Sequence, residues 1–251
     1  SKELKIMRKM ASKTFLAVML LIVVFFISGC GSSNGGNVKK AAYEIIDDQG
    51  AMIQLEHKPE RILTLAMGTD SIVLGILPEE KLIAINSLAD DPVSSNIVDK
   101  ANGITRKIKN PSAEEILSLK PDVVFIYNWG KAEMVDNLRE LGIKVVVVKG
   151  PKNIADVKEN VKLIAKTLGE EDKGNLMISK MDDKLAEIKE KVDNIKPEQR
   201  KKLVLISLMT SYGGKGCTFD DICQYAGVIN GVSDAGLHNG QLLTKEMLVD
   251  I

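Results

Sequence analysis

The stretch Ser112–Tyr127, SAEEILSLKPDVVFIY, decides how the rest of the chain is read. Ser112 followed three positions later by Glu115 has the form of a capping box, in which a hydroxyl and a carboxylate satisfy the free N–H groups of a first helical turn. Leu119-Lys120-Pro121 ends that short helix, because proline cannot continue it. Asp122 to Tyr127 is then an unbroken apolar run, the signature of a strand buried on both faces. The same alternation extends in both directions. Upstream lie an apolar segment at Arg61 to Ala66, a helix at Asp70 to Leu77 that Thr69 could cap, and a strand at Leu82 to Ile85. Downstream lie a helix at Lys131 to Leu141 closed by Gly142, and a strand at Lys144 to Val148. Continuous β-branched strands between helices predict an α/β lobe built on a parallel sheet. A hairpin precedes it, with Asp48-Gln49-Gly50 as the turn between Tyr43–Asp47 and Ala51–Leu55.

The texture then changes. Asn153 to Leu168 reads as one amphipathic helix interrupted at Gly169, and Glu171 to Ile195 as a second, long and charged. Met177, Met181, Leu185, Ile188, Val192 and Ile195 form one stripe on it, which suits either a spacer or a coiled-coil partner; its place between two strand-bearing segments favours the spacer. Leu203 to Met209 begins a new strand and Phe219 to Ala226 a new helix, so a second α/β lobe is expected. Thr244 to Ile251 has the helical look of the Ser112 segment, and the chain stops there. An apolar helix with no following strand would lack cover, so a C-terminal end is expected to be missing and the second lobe incomplete. The expected partition is 1–29, 30–40, 41–170, 171–196 and 197–251.

The first two of those segments have their own chemistry. Lys2, Lys5, Arg8, Lys9 and Lys13 precede an apolar run from Phe15 to Ile27, too short for a comfortable membrane span of about 20 residues. This is the pattern of a secretory signal. Its end, Ile27-Ser28-Gly29-Cys30, resembles the bacterial lipobox, which implies cleavage before Cys30 and a lipid on its sulfur. Gly31 to Asn37 would then be a flexible tether to a membrane surface on the extracytoplasmic side. The whole chain carries 34 basic and 34 acidic residues; with five bases and one acid ahead of the apolar run, the remainder has a net charge of roughly −4. That argues against a nucleic-acid partner. Cys217 and Cys223 make no disulfide framework, and either two free thiols or a single bridge remains open.

Several blocks together resemble the substrate-binding lipoproteins of ABC importers for ferric siderophores, haem and cobalamin. They are Lys58-Pro59-Glu60-Arg61-Ile62-Leu63-Thr64-Leu65-Ala66, the run from Glu114 through Pro121 to Val124, Leu141-Gly142-Ile143-Lys144-Val145, and Phe219 to Asn230. Two departures stand out: Thr69-Asp70 where the family usually has Thr-Glu, and Val228 at a usual glycine. The resemblance implies two Rossmann-like lobes joined by a single rigid helix, with a ligand between them. It implies partners too, a permease and its ATPase, with Glu114 and Glu246 as docking carboxylates, one per lobe. On the residues alone these two are also ordinary helix-start acids.

Parallel sheets bind ligands beyond the carboxyl ends of their strands. The loops expected there are Met67-Gly68-Thr69, Asn86-Ser87-Leu88, Thr105-Arg106-Lys107, Tyr127-Asn128-Trp129 and Ser211-Tyr212-Gly213-Gly214. Tyr127 and Trp129 offer flat apolar surface suited to a corrin, a porphyrin or a siderophore arm, or else pack their own loop. Arg106 could meet an anionic group, and Tyr212 is a candidate from the second lobe. Met67, Thr69 and His238 complete the ligand-binding candidates. Met67 and His238 are types used in axial haem ligation, though each also has an ordinary packing or loop role. Two histidines far apart are poor material for a metal site, so neither a resident metal nor a cofactor is expected. The chain has no Gly-x-Ser-x-Gly elbow, paired-histidine zinc motif or phosphate loop, so a binding protein is expected in preference to an enzyme. A secreted enzyme and a lipid-anchored sensor or adhesion module on the same fold are the alternatives.

Overall fold

The computed structural model describes residues 43–130, 132–207 and 212–251. The expected signal, Cys30, the tether and the end of the expected strand at Leu208 and Met209 lie outside the described residues.

The hairpin forms as expected, with β1 (Tyr43–Ile46) and β2 (Met52–Leu55) antiparallel. Five parallel strands follow: β3 (Ile62–Thr64), β4 (Leu82–Asn86), β5 (Lys107–Ile108), β6 (Val123–Tyr127) and β7 (Val145–Val148), in the order β5-β4-β3-β6-β7. Successive residues of the central strands point to opposite faces, and each face has its own core. Ile62, Ile85, Val123, Phe125, Val146 and Val148 pack with helices α1 (Met67–Ile76) and α5 (Ile154–Leu168). Leu63, Ala84, Val124, Ile126, Val145 and Val147 pack with α3 (Ala113–Ser118) and α4 (Ala132–Glu140). A fully buried aliphatic or aromatic side chain contributes about 1.5–3 kcal/mol, so these strands tolerate little polarity. A one-turn helix, α2 (Val98–Ala101), leads to β5.

Two polar anchors hold the periphery. Asp47 is buried at the end of β1 and accepts from Gln49 N (3.0 Å) and Ala51 N (2.9 Å) through one oxygen. Its other oxygen accepts from Val147 N (3.0 Å) and Arg139 Nη2 (2.6 Å), which ties the hairpin turn to β7 and α4. Arg61 donates to the carbonyls of Leu119 (2.7 Å) and Lys120 (3.0 Å), the exposed C-terminal acceptors of α3.

Asn153 caps α5 by accepting from Asp156 N, and Gly169 ends it in the left-handed region at φ 63°. The chain reverses there into α6 (Glu171–Val192), about 33 Å long at 1.5 Å per residue. A Cβ on Gly174 would lie 2.4 Å from the Ala165 methyl, so the two helices cross closely at a glycine. Beyond α6 come β8 (Lys202–Leu203), α7 (Thr218–Tyr225), β9 (Ile229–Asn230), α8 (Gly231–Asp234) and α9 (Lys245–Asp250). β8 pairs parallel with β9. The architecture is therefore α/β, with one long helix leading from a five-stranded parallel sheet to a second, smaller strand-bearing part.

Three expectations need correction. Thr69 does not cap α1: the helix begins at Met67, three residues before the expected start, Ala66 occupies the cap, and the Thr69 hydroxyl donates back to Ala66 O at 2.7 Å. The expected strand at Leu203 to Met209 ends at Leu203, and residues 204–207 carry no strand. Lys107 is the first residue of β5, so Arg106 precedes that strand and does not follow it.

Candidate functional site

The strand order locates the site. From β3 the chain runs outward to β4 and β5, then returns to lay β6 on the other side of β3. The loops after β3 and β6 therefore leave neighbouring strands in different directions, and the crevice between them is where an open parallel sheet receives ligands. Met67 and Gly68 follow β3 on one side, and Asn128 and Trp129 follow Tyr127, the end of β6, on the other. Tyr127, the last residue of β6, is buried and reaches across: a Cβ on Gly68 would lie 2.2 Å from its hydroxyl oxygen. The glycine is thus required for the ring's position. Burial, together with the nearby Asp70 carboxylate, pushes the Tyr127 phenol further up, so it remains a neutral donor at physiological pH.

Asp70 lies under the crevice, fully buried in the first turn of α1. One oxygen accepts from the Thr64 hydroxyl at the end of β3. The other accepts from Asn86 N at the end of β4, at 3.1 Å. The carboxylate therefore staples two strand ends below the loops they support. Burial raises its pKa to about 7, against the lowering effect of the Thr64 and Asn86 hydrogen bonds and of the Lys107 charge. In the sequence Asp70 stood out only as a departure from a family pattern; its role depends on an 16-residue separation to Asn86 that only the fold closes.

Trp129 is 68% exposed, an unusual state for so large a ring. Its ring centroid lies 4.3 Å from that of Tyr127, with the planes tilted by 35°. It also rests on Gly150, just past β7, where a Cβ would come within 2.2 Å of the ring. One residue further on, Pro151 O accepts the Thr218 hydroxyl at 2.9 Å, and Ile154 N donates to Asp221 Oδ2 at 2.7 Å. These bonds fasten the start of α7 beside the crevice. Tyr212 belongs to the same corner. Burial, then the Cys217 thiol, raises its pKa, while hydrogen bonds with the Thr218 side chain and Phe219 N act in the opposite direction. Cys217 and Cys223 are both buried and free.

The structure thus brings together Tyr127 and Trp129, with Tyr212 joined to them through Thr218 and Pro151, while Met67 is the chain neighbour of the Gly68 that Tyr127 overlies. Other candidates are placed differently. Thr69 is fully buried with its hydroxyl committed to Ala66, so it offers no group to the crevice. Arg106 lines a separate hollow of about 160 Å³ with Glu79 and Glu80, toward the amino end of β4. His238 is exposed on a loop that bridges to Lys215. A hollow of about 630 Å³ lies along α6 between Gly75, Ile154, Leu176, Met177 and Leu185, and neither Tyr127 nor Trp129 lines it. Its walls are almost wholly apolar, and only lysine side chains rim it, so it lacks the converging polar groups that orient a ligand.

Glu114 and Glu246 occupy matching positions. Each is the second residue of its helix, behind a cap in which Ser112 accepts from Glu115 N (3.2 Å) and Thr244 accepts from Met247 N (3.3 Å). Both are exposed, and each carboxyl is held below its usual range first by its own backbone N–H and then by the capping hydroxyl. Among the described residues no group of three or more His, Cys, Asp or Glu could hold a metal ion, and no helix is long and apolar enough to cross a membrane.

Residues 69–249 match the model of the periplasmic binding protein family, and the chain belongs to that family. It is similar to an uncharacterized ABC transporter substrate-binding lipoprotein, YvrC, of Bacillus subtilis, at 22% identity over 74% of this chain and 61% of the relative. The iron-uptake system-binding protein of the same organism is 25% identical over 77% of this chain and 61% of that protein. Among solved structures, the periplasmic heme-binding protein RhuT from Roseiflexus sp. RS-1 shares the fold, with a TM-score of 0.63 at 22% identity over 76% of this chain and 73% of that one. The chain spans about three-fifths of the length of the curated relatives it matches.

Proposed function

We propose that this chain is the extracytoplasmic solute-binding lipoprotein of an ABC importer, anchored through Cys30, that captures a chelated metal compound and hands it to a permease driven by an ATPase. A ferric siderophore is the foremost ligand, with cobalamin or haem next. The observation that carries the reading is the Tyr127–Trp129 pair at the switch point of the parallel sheet, in a chain of the periplasmic binding protein family. Trp129 presents flat apolar surface beside the buried Tyr127 phenol, which stays protonated, and this suits a large conjugated chelate. The related iron-uptake and heme-binding proteins point to the same ligand class. Binding, release and docking are all the chemistry such a chain performs.

Trp129 is the only tryptophan, so it reports occupancy directly. Titrating the purified chain with ferric siderophores, haemin and cyanocobalamin is expected to give saturable quenching of its emission by one of them, with Kd of about 1 μM or below, equivalent to about 8 kcal/mol. A flat response to all three from a cooperatively melting protein would remove this ligand class.

Docking rests on Glu114 and Glu246. Exposed carboxylates kept ionised at two matched helix starts can meet basic residues of a permease and set orientation and on-rate. Changing both to alanine is expected to leave ligand Kd unchanged while lowering cellular uptake of the radiolabelled ligand by about tenfold or more. Unaltered uptake by the double variant would make them simple helix-start acids.

A further inference from the structure

Trp129 is held where it is, and the residue that holds it is its neighbour. Asn128 N donates to Val148 O at 2.9 Å, continuing the β6–β7 ladder past the end of β6. The Asn128 side chain then bridges three segments. Its Oδ1 accepts from Gly150 N at 3.0 Å, and its Nδ2 donates to Asp48 Oδ2 at 2.8 Å. The amide orientation is fixed by chemistry, since Gly150 N can only donate and an ionised Asp48 can only accept. Asp48 is itself fixed to β7 through its N–H on Val147 O at 3.0 Å. The β1–β2 turn, the loop after β6 and the loop after β7 are therefore locked by one side chain. Gly150, whose N–H completes the lock, is also the seat of the Trp129 ring. An exposed tryptophan on an unsupported loop would sample several rotamers and lose that freedom on binding, which weakens affinity.

We propose that Asn128, bridging Asp48 and Gly150, is a positioning residue that pre-orders Trp129 as the stacking platform for a flat conjugated ligand. This rests on the reading of the crevice as a ligand site. It goes beyond that reading by making the hairpin turn, through Asp48, part of what determines ligand affinity. With Gly150 and Tyr127 against it the ring is still 68% exposed, which leaves surface for the ligand.

The test uses the full chain and two readouts. One is quenching of Trp129 emission by acrylamide in the absence of ligand, with fluorescence anisotropy; the other is Kd for the chelate that quenches wild type, from haemin, cyanocobalamin and a ferric tris-catecholate. Asn128→Asp keeps an acceptor for Gly150 N but turns a second carboxylate toward Asp48. It is expected to raise the acrylamide quenching constant about twofold, lower anisotropy and weaken binding about five- to tenfold, without a large loss of thermal stability. Adding Asp48→Asn restores a donor–acceptor pair with reversed polarity and is expected to recover both readouts. Gly150→Ala displaces the ring from the other side and is expected to reproduce the single variant's effect with the Asn128–Asp48 bond intact. If Asn128→Asp and Gly150→Ala leave acrylamide quenching and anisotropy as in wild type, the positioning role is wrong. Altered quenching with unaltered Kd also overturns it, since the platform would then not serve binding. If none of the three chelates binds wild type, the ligand reading fails, and the apo readouts still decide whether Asn128 orders Trp129.

Discussion

Replacing Asp47 by alanine is expected to cost about 3–5 kcal/mol, the largest loss from any single polar substitution in the described sheet. The carboxylate is wholly buried and accepts from three backbone N–H groups and one arginine. Truncation leaves Val147 N–H without its buried partner and Arg139 beside an apolar gap. Each uncompensated buried donor costs about 1–3 kcal/mol, and more when the lost acceptor was charged. Against a typical total stability of about 5–15 kcal/mol, the variant would stand near its unfolding threshold. Urea unfolding monitored by circular dichroism measures this. Asp47→Asn keeps the volume and one acceptor oxygen, so an intermediate loss is expected. A cost under about 1 kcal/mol for the alanine variant would mean that the hairpin turn is not anchored through this group.

Asp70→Asn is expected to stabilise the protein near neutral pH and to remove part of its pH dependence. The usual native carboxylate has a lowered pKa and loses stability in acid. Asp70 behaves in the opposite way, because burial raises its folded-state pKa to about 7 from 3.8. Between about pH 4 and 7 the folded state holds a proton that the unfolded state has released, so stability falls as pH rises through that window and levels off above it. A shift of about 3 pKa units corresponds to at most about 4 kcal/mol. The asparagine variant carries no titrating group there and can still accept from Asn86 N while its amide donates to Thr64. Urea midpoints from pH 4 to 8 should therefore show a declining wild-type curve and a flatter variant curve that crosses above it. Parallel curves would show that Asp70 is not held protonated in this way.

Much of the architecture is legible in the residues. The apolar runs at Val123–Tyr127 and Val145–Val148, the serine start of α3 and the glycine stop of α5 are local signals, and local signals survive folding. Non-local decisions are not legible in that way. The strand order placing β6 beside β3 depends on which edges meet, and it is this order that brings Gly68 under Tyr127. β5 is only two residues long and carries no pattern that a period could reveal, so Arg106 was expected on the wrong side of it. Thr69 has the right chemistry for a cap, but helix α1 gains three earlier residues and turns its hydroxyl back onto Ala66 O. In the candidate site, Tyr127 and Trp129 are visible because they follow a buried strand directly. Asn128, Asp70 and Gly150 are not, because each acts through a partner brought near by the sheet.

The pairing of β3 with β6 also has a consequence in time. Ile62 and Val123 are partners roughly sixty residues apart, so the central strand of the sheet waits for a long loop to close before it gains its second neighbour. Contacts of that separation form slowly compared with helices or hairpins. Both walls of the crevice depend on this one closure, which makes the zipping of β6 the step that turns a collapsed chain into one able to hold a ligand. A chain emerging amino end first has no receptive surface until Trp129 is out, and the gain of ligand-dependent quenching during refolding is a clock for completion of the sheet.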